Sequence, residues 1–107
     1  MSKLWLDEER PPPNKTWTAC RTVAQAKNFL IRYNPGVTEA SLDHDIEPGS
    51  IVWLKPSGLS FVRWMIRENL VPPLVTVHSQ NPIGGFRMVL ALRRAGARVR
   101  WRPYGLL

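Results

Sequence analysis

Residues 74–82 read Leu74-Val75-Thr76-Val77-His78-Ser79-Gln80-Asn81-Pro82, a strand followed directly by a helix start. An unbroken run of apolar and β-branched residues suits a strand covered on both faces, as in parallel sheets. Asn81-Pro82 is a helix cap followed by proline at the first helical position, so a helix is predicted from there to about Gly96. Beyond it, Arg98 to Arg102 alternates, with Val99 and Trp101 pointing one way, which reads as an edge strand. Strand, helix and strand in direct succession imply parallel pairing through a right-handed crossover.

The same grammar extends towards the N-terminus. Leu4-Trp5-Leu6 stops at Asp7, and Glu39-Ala40-Ser41-Leu42 stops at Asp43-His44-Asp45, so two more short strands end in ionisable residues. Trp17 to Arg21 alternates at period two and is a second edge candidate. Thr22 and Gln25 have capping-box spacing, and Val23, Ala26, Leu30 and Tyr33 then share one helical face until Asn34-Pro35-Gly36. Ser57 can cap a helix through Leu59, Val62, Met65 and Ile66 that ends before Pro72-Pro73. Pro11-Pro12-Pro13 cannot enter a helix interior or a central strand, so the first connection is an extended loop. Within Ile46 to Pro56, the run Ile51-Val52-Trp53-Leu54 reads either as a small extra strand or as an ordered loop. The sum is one α/β domain over residues 1–107: a doubly wound, flavodoxin-like, three-layer fold. Its five-stranded, mainly parallel sheet is ordered 2-1-3-4-5, and its first helix is reduced to a proline-rich loop.

Composition bounds the function. The chain has 107 residues, 44% of them hydrophobic, five Trp among them, enough for a compact core. Its apolar stretches are far shorter than the ~18 residues of a membrane span and no signal-peptide core is present, which points to a soluble, cytoplasmic protein. One cysteine, Cys20, excludes an internal disulfide and a cysteine-clustered zinc site. Fifteen Lys/Arg against eight Asp/Glu give a net charge of +7, the balance of a protein that meets an anion such as nucleic acid, nucleotide or phosphate. Six of the eight acids fall in two clusters, Asp7-Glu8-Glu9 and Asp43, Asp45, Glu47, whereas Arg87, Arg93, Arg94, Arg98, Arg100 and Arg102 crowd the last quarter. Arginine favours bidentate phosphate contacts.

In open α/β sheets ligands bind outside the carboxyl ends of the strands, near the point where strand order reverses. Three central strands here end in Asp7-Glu8, Asp43-His44-Asp45 and His78-Ser79, which places all three endings at one crevice. Two chemistries follow. Carboxylates there offer oxygen ligands to Mg²⁺ or Mn²⁺, with Asp7, Glu8 and Asp43 as candidates. Alternatively His44 and His78 act as a general acid and base, with Asp43 and Asp45 orienting the rings. Ser79, Asn81 and Gly84, at the start of the last helix, are candidate phosphate contacts because unpaired N–H groups and the positive dipole end favour an anion. Arg10, beside the first acidic cluster, and Arg102, at the end of the last strand, can reach the same rim. No Gly-Lys-Ser/Thr follows, so nucleoside triphosphate hydrolysis is not supported.

The three motifs Leu6-Asp7-Glu8-Glu9-Arg10-Pro11-Pro12, Ser41-Leu42-Asp43-His44-Asp45 and Val77-His78-Ser79-Gln80-Asn81-Pro82-Ile83-Gly84 together resemble the cyclic-phosphate-processing receiver domain family, a relative of response-regulator receivers. The resemblance implies processing of cyclic phosphate ends or cyclic nucleotides, in RNA repair or phage–host conflict. It maps the family's motif acids and histidines to Asp7, Asp43, Asp45, His44 and His78. The chain also resembles ordinary receivers through Asp7-Glu8, Asp43, Ser79 and Arg102-Pro103. Arginine in place of their lysine, and histidines beside the Asp and the Ser, argue against aspartyl-phosphate signalling. Three functions stay open: a phosphoesterase acting on a cyclic phosphate, a module that captures a cyclic nucleotide or RNA end without turnover, and a degenerate receiver used for interactions.

Overall fold

The computed structural model describes residues 2–44 and 57–103. The elements run β1 (Ser2–Leu6), β2 (Trp17–Cys20), α1 (Val23–Tyr33), β3 (Val37–Leu42), α2 (Gly58–Arg67), β4 (Leu74–Val77), α3 (Pro82–Arg94) and β5 (Arg98–Trp101). All five strands join one parallel sheet of order β2-β1-β3-β4-β5. The expected order and the expected edges are both found. β3 starts at Val37, two residues before the Glu39 start expected from the sequence, and its register with β1 shifts between Ser2, paired with Val37, and Lys3, paired with Glu39. Asp45 and the Ile46 to Pro56 segment lie outside the described residues.

Each helix begins where a side chain can satisfy an orphan N–H. Thr22 accepts from the Gln25 amide, Ser57 and Ser60 form a reciprocal capping box, and Asn81 accepts from the Gly84 amide with Pro82 at the first helical position. Among the described residues no helix is long and apolar enough to cross a membrane.

Sheet order fixes where the helices go. The step from β1 to β2 crosses the sheet in one direction and every later crossover runs in the other, so right-handed connections put α1, α2 and α3 on a single face. The packing agrees: Leu4, Leu6, Leu42, Val75 and Val77 share one buried cluster with Leu30 of α1, Met65 of α2 and Met88 of α3. Burying side chains of this size contributes about 1.5–3 kcal/mol each. The opposite face is where the first connection must pass, and there the third layer is the proline-bearing segment of residues 7–16 rather than a helix. Trp5 is fully buried on that side, and its indole N–H donates to the Arg10 carbonyl at 2.9 Å.

Candidate functional site

Register brings three strand ends together. Leu6 pairs with Leu42 and Leu42 with Val77; one residue further, the Asp43 amide donates to the Leu6 carbonyl and the His78 amide to the Leu42 carbonyl, both at 2.9 Å. By the period of two, Trp5, Asp7, Ser41, Asp43 and His78 then face away from the helices. The His78 imidazole is stacked on the Trp5 indole, with centroids 4.1 Å apart and planes 6° from parallel. Its Nδ1 is 2.7 Å from the Ser41 hydroxyl and its Nε2 is 3.1 Å from Asp7 Oδ2. A carboxylate only accepts, so Nε2 carries the proton and donates to Asp7.

Arg10 closes the group from the proline-rich side. Its Nε donates to Asp7 Oδ2 and a terminal guanidinium nitrogen to Asp43 Oδ2, both at 2.9 Å. The segment that presents it is tied down, because Arg21 donates to the carbonyls of Asp7 at 3.0 Å and Arg10 at 2.8 Å. The two acids diverge electrostatically. Burial pushes Asp7 upward, but the His78 hydrogen bond, the Arg10 and Glu9 amides and the Arg10 charge outweigh it and hold the carboxyl at about 2. For Asp43, burial and then the Asp7 charge prevail over Arg10 and His78, so its carboxyl is raised.

His44 occupies a different environment. Its backbone N–H donates to Asp43 Oδ1 at 2.8 Å, its carbonyl accepts from Gly58 N–H at 2.9 Å, and its partly exposed imidazole lies on Gly84 in the first turn of α3. A Cβ at Gly84 would run into that ring, and one at Gly58 into the Asp43 carbonyl. A Cβ at Gly85 would come within 2.7 Å of the Trp101 indole. These glycines admit neighbouring protein atoms.

Several expectations change accordingly. His44 and His78 end neighbouring strands but do not face each other: His44 packs on the helix side and His78 is sealed on the other. Gly84 is not an open anion contact, because its N–H donates to Asn81 Oδ1 at 2.9 Å and its Cα face is covered by His44. The Ser79 hydroxyl is buried and accepts from the Asn81 amide at 3.0 Å, so Ser79 and Asn81 shape the entry to α3. Arg10 pairs with the acids instead of standing at the rim as a phosphate anchor. Arg102 is exposed at the end of β5. Glu8 is partly exposed and forms no ion pair among the described residues. The sequence reading passed over Ser41, Trp5 and Gly58, although period two already puts Ser41 on the face of Asp43 and Trp5 on that of Asp7.

The family model described as Cyclic-phosphate processing Receiver domain matches residues 2–94, from β1 to the end of α3. The chain belongs to this family. No curated protein and no solved structure matches it. β5 and Arg102 lie beyond the matched range, whereas every member of the Asp7, Arg10, Ser41, Asp43, His44 and His78 group lies within it.

The carboxylate chemistry of the strand ends makes Asp7, Glu8 and Asp43 the candidate ligands of a divalent ion in this cyclic-phosphate processing receiver domain. The described residues do not fit one. Both oxygens of each carboxylate already accept hydrogen bonds, and Arg10 bridges the pair. Among the described residues no group of three or more His, Cys, Asp or Glu side chains stands together as a ligand set.

Proposed function

We propose that this domain hydrolyses a cyclic phosphate, at an RNA 2′,3′-cyclic end or in a cyclic nucleotide, with His44 as the group that meets the substrate. The observation behind this reading is the partition of the two histidines. His44 is partly exposed and sits on the first turn of α3, whose positive dipole end favours an anion near the imidazole even though the Gly84 N–H is already bonded to Asn81. His78 is fully buried with both ring nitrogens bonded, so it acts as a positioning residue for Asp7 and, through Asp7, for Arg10.

Hydrolysis adds water across one P–O bond. One group must take the water proton and another must give a proton to the leaving oxygen, and an imidazole can serve in either step. Exposed Arg102 offers the phosphate a cation from the neighbouring strand end.

The test is ³¹P NMR of ring opening on a panel of cyclic mononucleotides, cyclic dinucleotides and RNA with a 2′,3′-cyclic phosphate. His44→Gln should lower turnover by about 10²–10⁴-fold, the usual worth of a positioned proton-transfer group, with an unchanged unfolding midpoint. His78→Ala should instead destabilise the fold by about 3–5 kcal/mol, because it leaves a cavity and strips partners from buried Ser41 and Asp7. Full turnover in His44→Gln would overturn the assignment. One observation favours capture without turnover: among the described residues only one imidazole is exposed at the site. Saturable binding with no product from any substrate would establish that second reading.

A further inference from the structure

The acid pair of this site already has a cation. We propose that Arg10 is the built-in counter-ion of Asp7 and Asp43, holding the place a divalent ion would need, so that the domain engages its anionic ligand without a resident metal.

Four observations converge on this. Arg10 reaches the two acids with two different nitrogens, each at 2.9 Å, so one planar guanidinium spans carboxylates from two strand ends. The remaining Asp7 oxygen is held by the backbone amides of Glu9 and Arg10 at 3.0 and 2.9 Å, and the remaining Asp43 oxygen by the His44 amide. A metal entering there would have to break charge-assisted bonds and the His78 contact together. The arginine is also anchored from behind, because its carbonyl accepts from both Trp5 and Arg21 while its amide donates to Asp7. A side chain mounted on so constrained a backbone is placed by the fold. Finally, the pair is buried, so two uncompensated carboxylates would repel each other strongly, and the Arg10 charge offsets that repulsion.

The inference does not depend on turnover, and its primary readout is metal, not product. Mn²⁺ is titrated into ¹⁵N-labelled protein at neutral pH and paramagnetic broadening is followed at the amides of residues 7–10, 43, 44 and 78. The native chain should show no broadening localised to these residues below about 1 mM, the weak limit of protein sites for hard divalent ions. Arg10→Gln, which removes the charge, should bind Mn²⁺ at the same residues at least ~10-fold more tightly than the native chain, because the carboxylates then face each other uncompensated. Arg10→Lys, which keeps the charge, should not gain such binding.

Site-localised broadening of the native chain at submillimolar Mn²⁺ would overturn the proposal. So would a folded Arg10→Gln protein with no tighter binding than the native chain. Should Arg10→Gln fail to fold, the native chain and Arg10→Lys decide the matter. Where a substrate is turned over, EDTA should leave the rate unchanged; loss of turnover on chelation would overturn the counter-ion role without touching the assignment of His44.

Discussion

Four hydrogen bonds meet on the Asp7 carboxylate: two from backbone amides, one from Arg10 and one from His78. That makes its ionised form part of the folded state, and the consequence is a pH dependence whose sign can be worked out. A carboxyl held at about 2 against an ordinary 3.8 stabilises the fold above the unfolded value, and that contribution disappears as pH falls from about 4 towards 2. At 1.36 kcal/mol per pH unit it amounts to about 2 kcal/mol. Asp43 works in the opposite direction: its carboxyl is raised, so the fold gains stability as pH falls through a window above the ordinary value. From these two groups, stability should rise from neutral pH into mild acid and then drop steeply. Urea unfolding from pH 2 to 7 should find the steep drop reduced in Asp7→Asn and the rise absent in Asp43→Asn; an acid limb unchanged by Asp7→Asn would refute the account.

Asp43 and His44, which follow β3, pack against the first turns of α2 and α3 at Gly58 and Gly84. Replacing glycine by alanine inside a helix ordinarily gains up to about 1 kcal/mol. Here the local packing reverses that preference. Gly58→Ala would drive a methyl into the Asp43 backbone, which cannot swing aside, and should cost about 1–3 kcal/mol in unfolding free energy. Gly84→Ala meets the side chain of His44 rather than a backbone, so the unfolding midpoint should move less than in Gly58→Ala while the imidazole resonances of His44 shift. A native-like His44 spectrum in Gly84→Ala would show that the ring does not rest there.

Strand ends were legible from the sequence because an apolar run followed by ionisable residues has one physical meaning. The role of these glycines was not, since a glycine that makes room for an anion and one that makes room for a side chain look identical in a string of letters. Arg10 misled for a similar reason: an arginine next to acids reads as a rim cation until the fold brings Asp43 to its other side. Period two puts Ser41 on the face of Asp43, but its bond was not legible, because its partner His78 stands 37 positions away.

Sheet and helices share one apolar cluster, so the described elements should unfold together. Far-UV circular dichroism and tryptophan emission should give coincident urea transitions; separated midpoints would mean that part of the chain folds on its own. The site is the most non-local feature of this arrangement, for the bond between Asp7 and His78 joins positions 71 residues apart. A chain is made in one direction, and at ~5–20 residues per second His78 is added roughly four to fourteen seconds after Asp7. Throughout that interval the first strand carries its acid without an imidazole, and the pair cannot be sealed beneath Trp5 until the fourth strand has docked. The cluster is therefore complete only once β4 has been made, and a copy that ends before β4 has neither the buried Asp7–His78 bond nor the turn of α3 on which His44 rests.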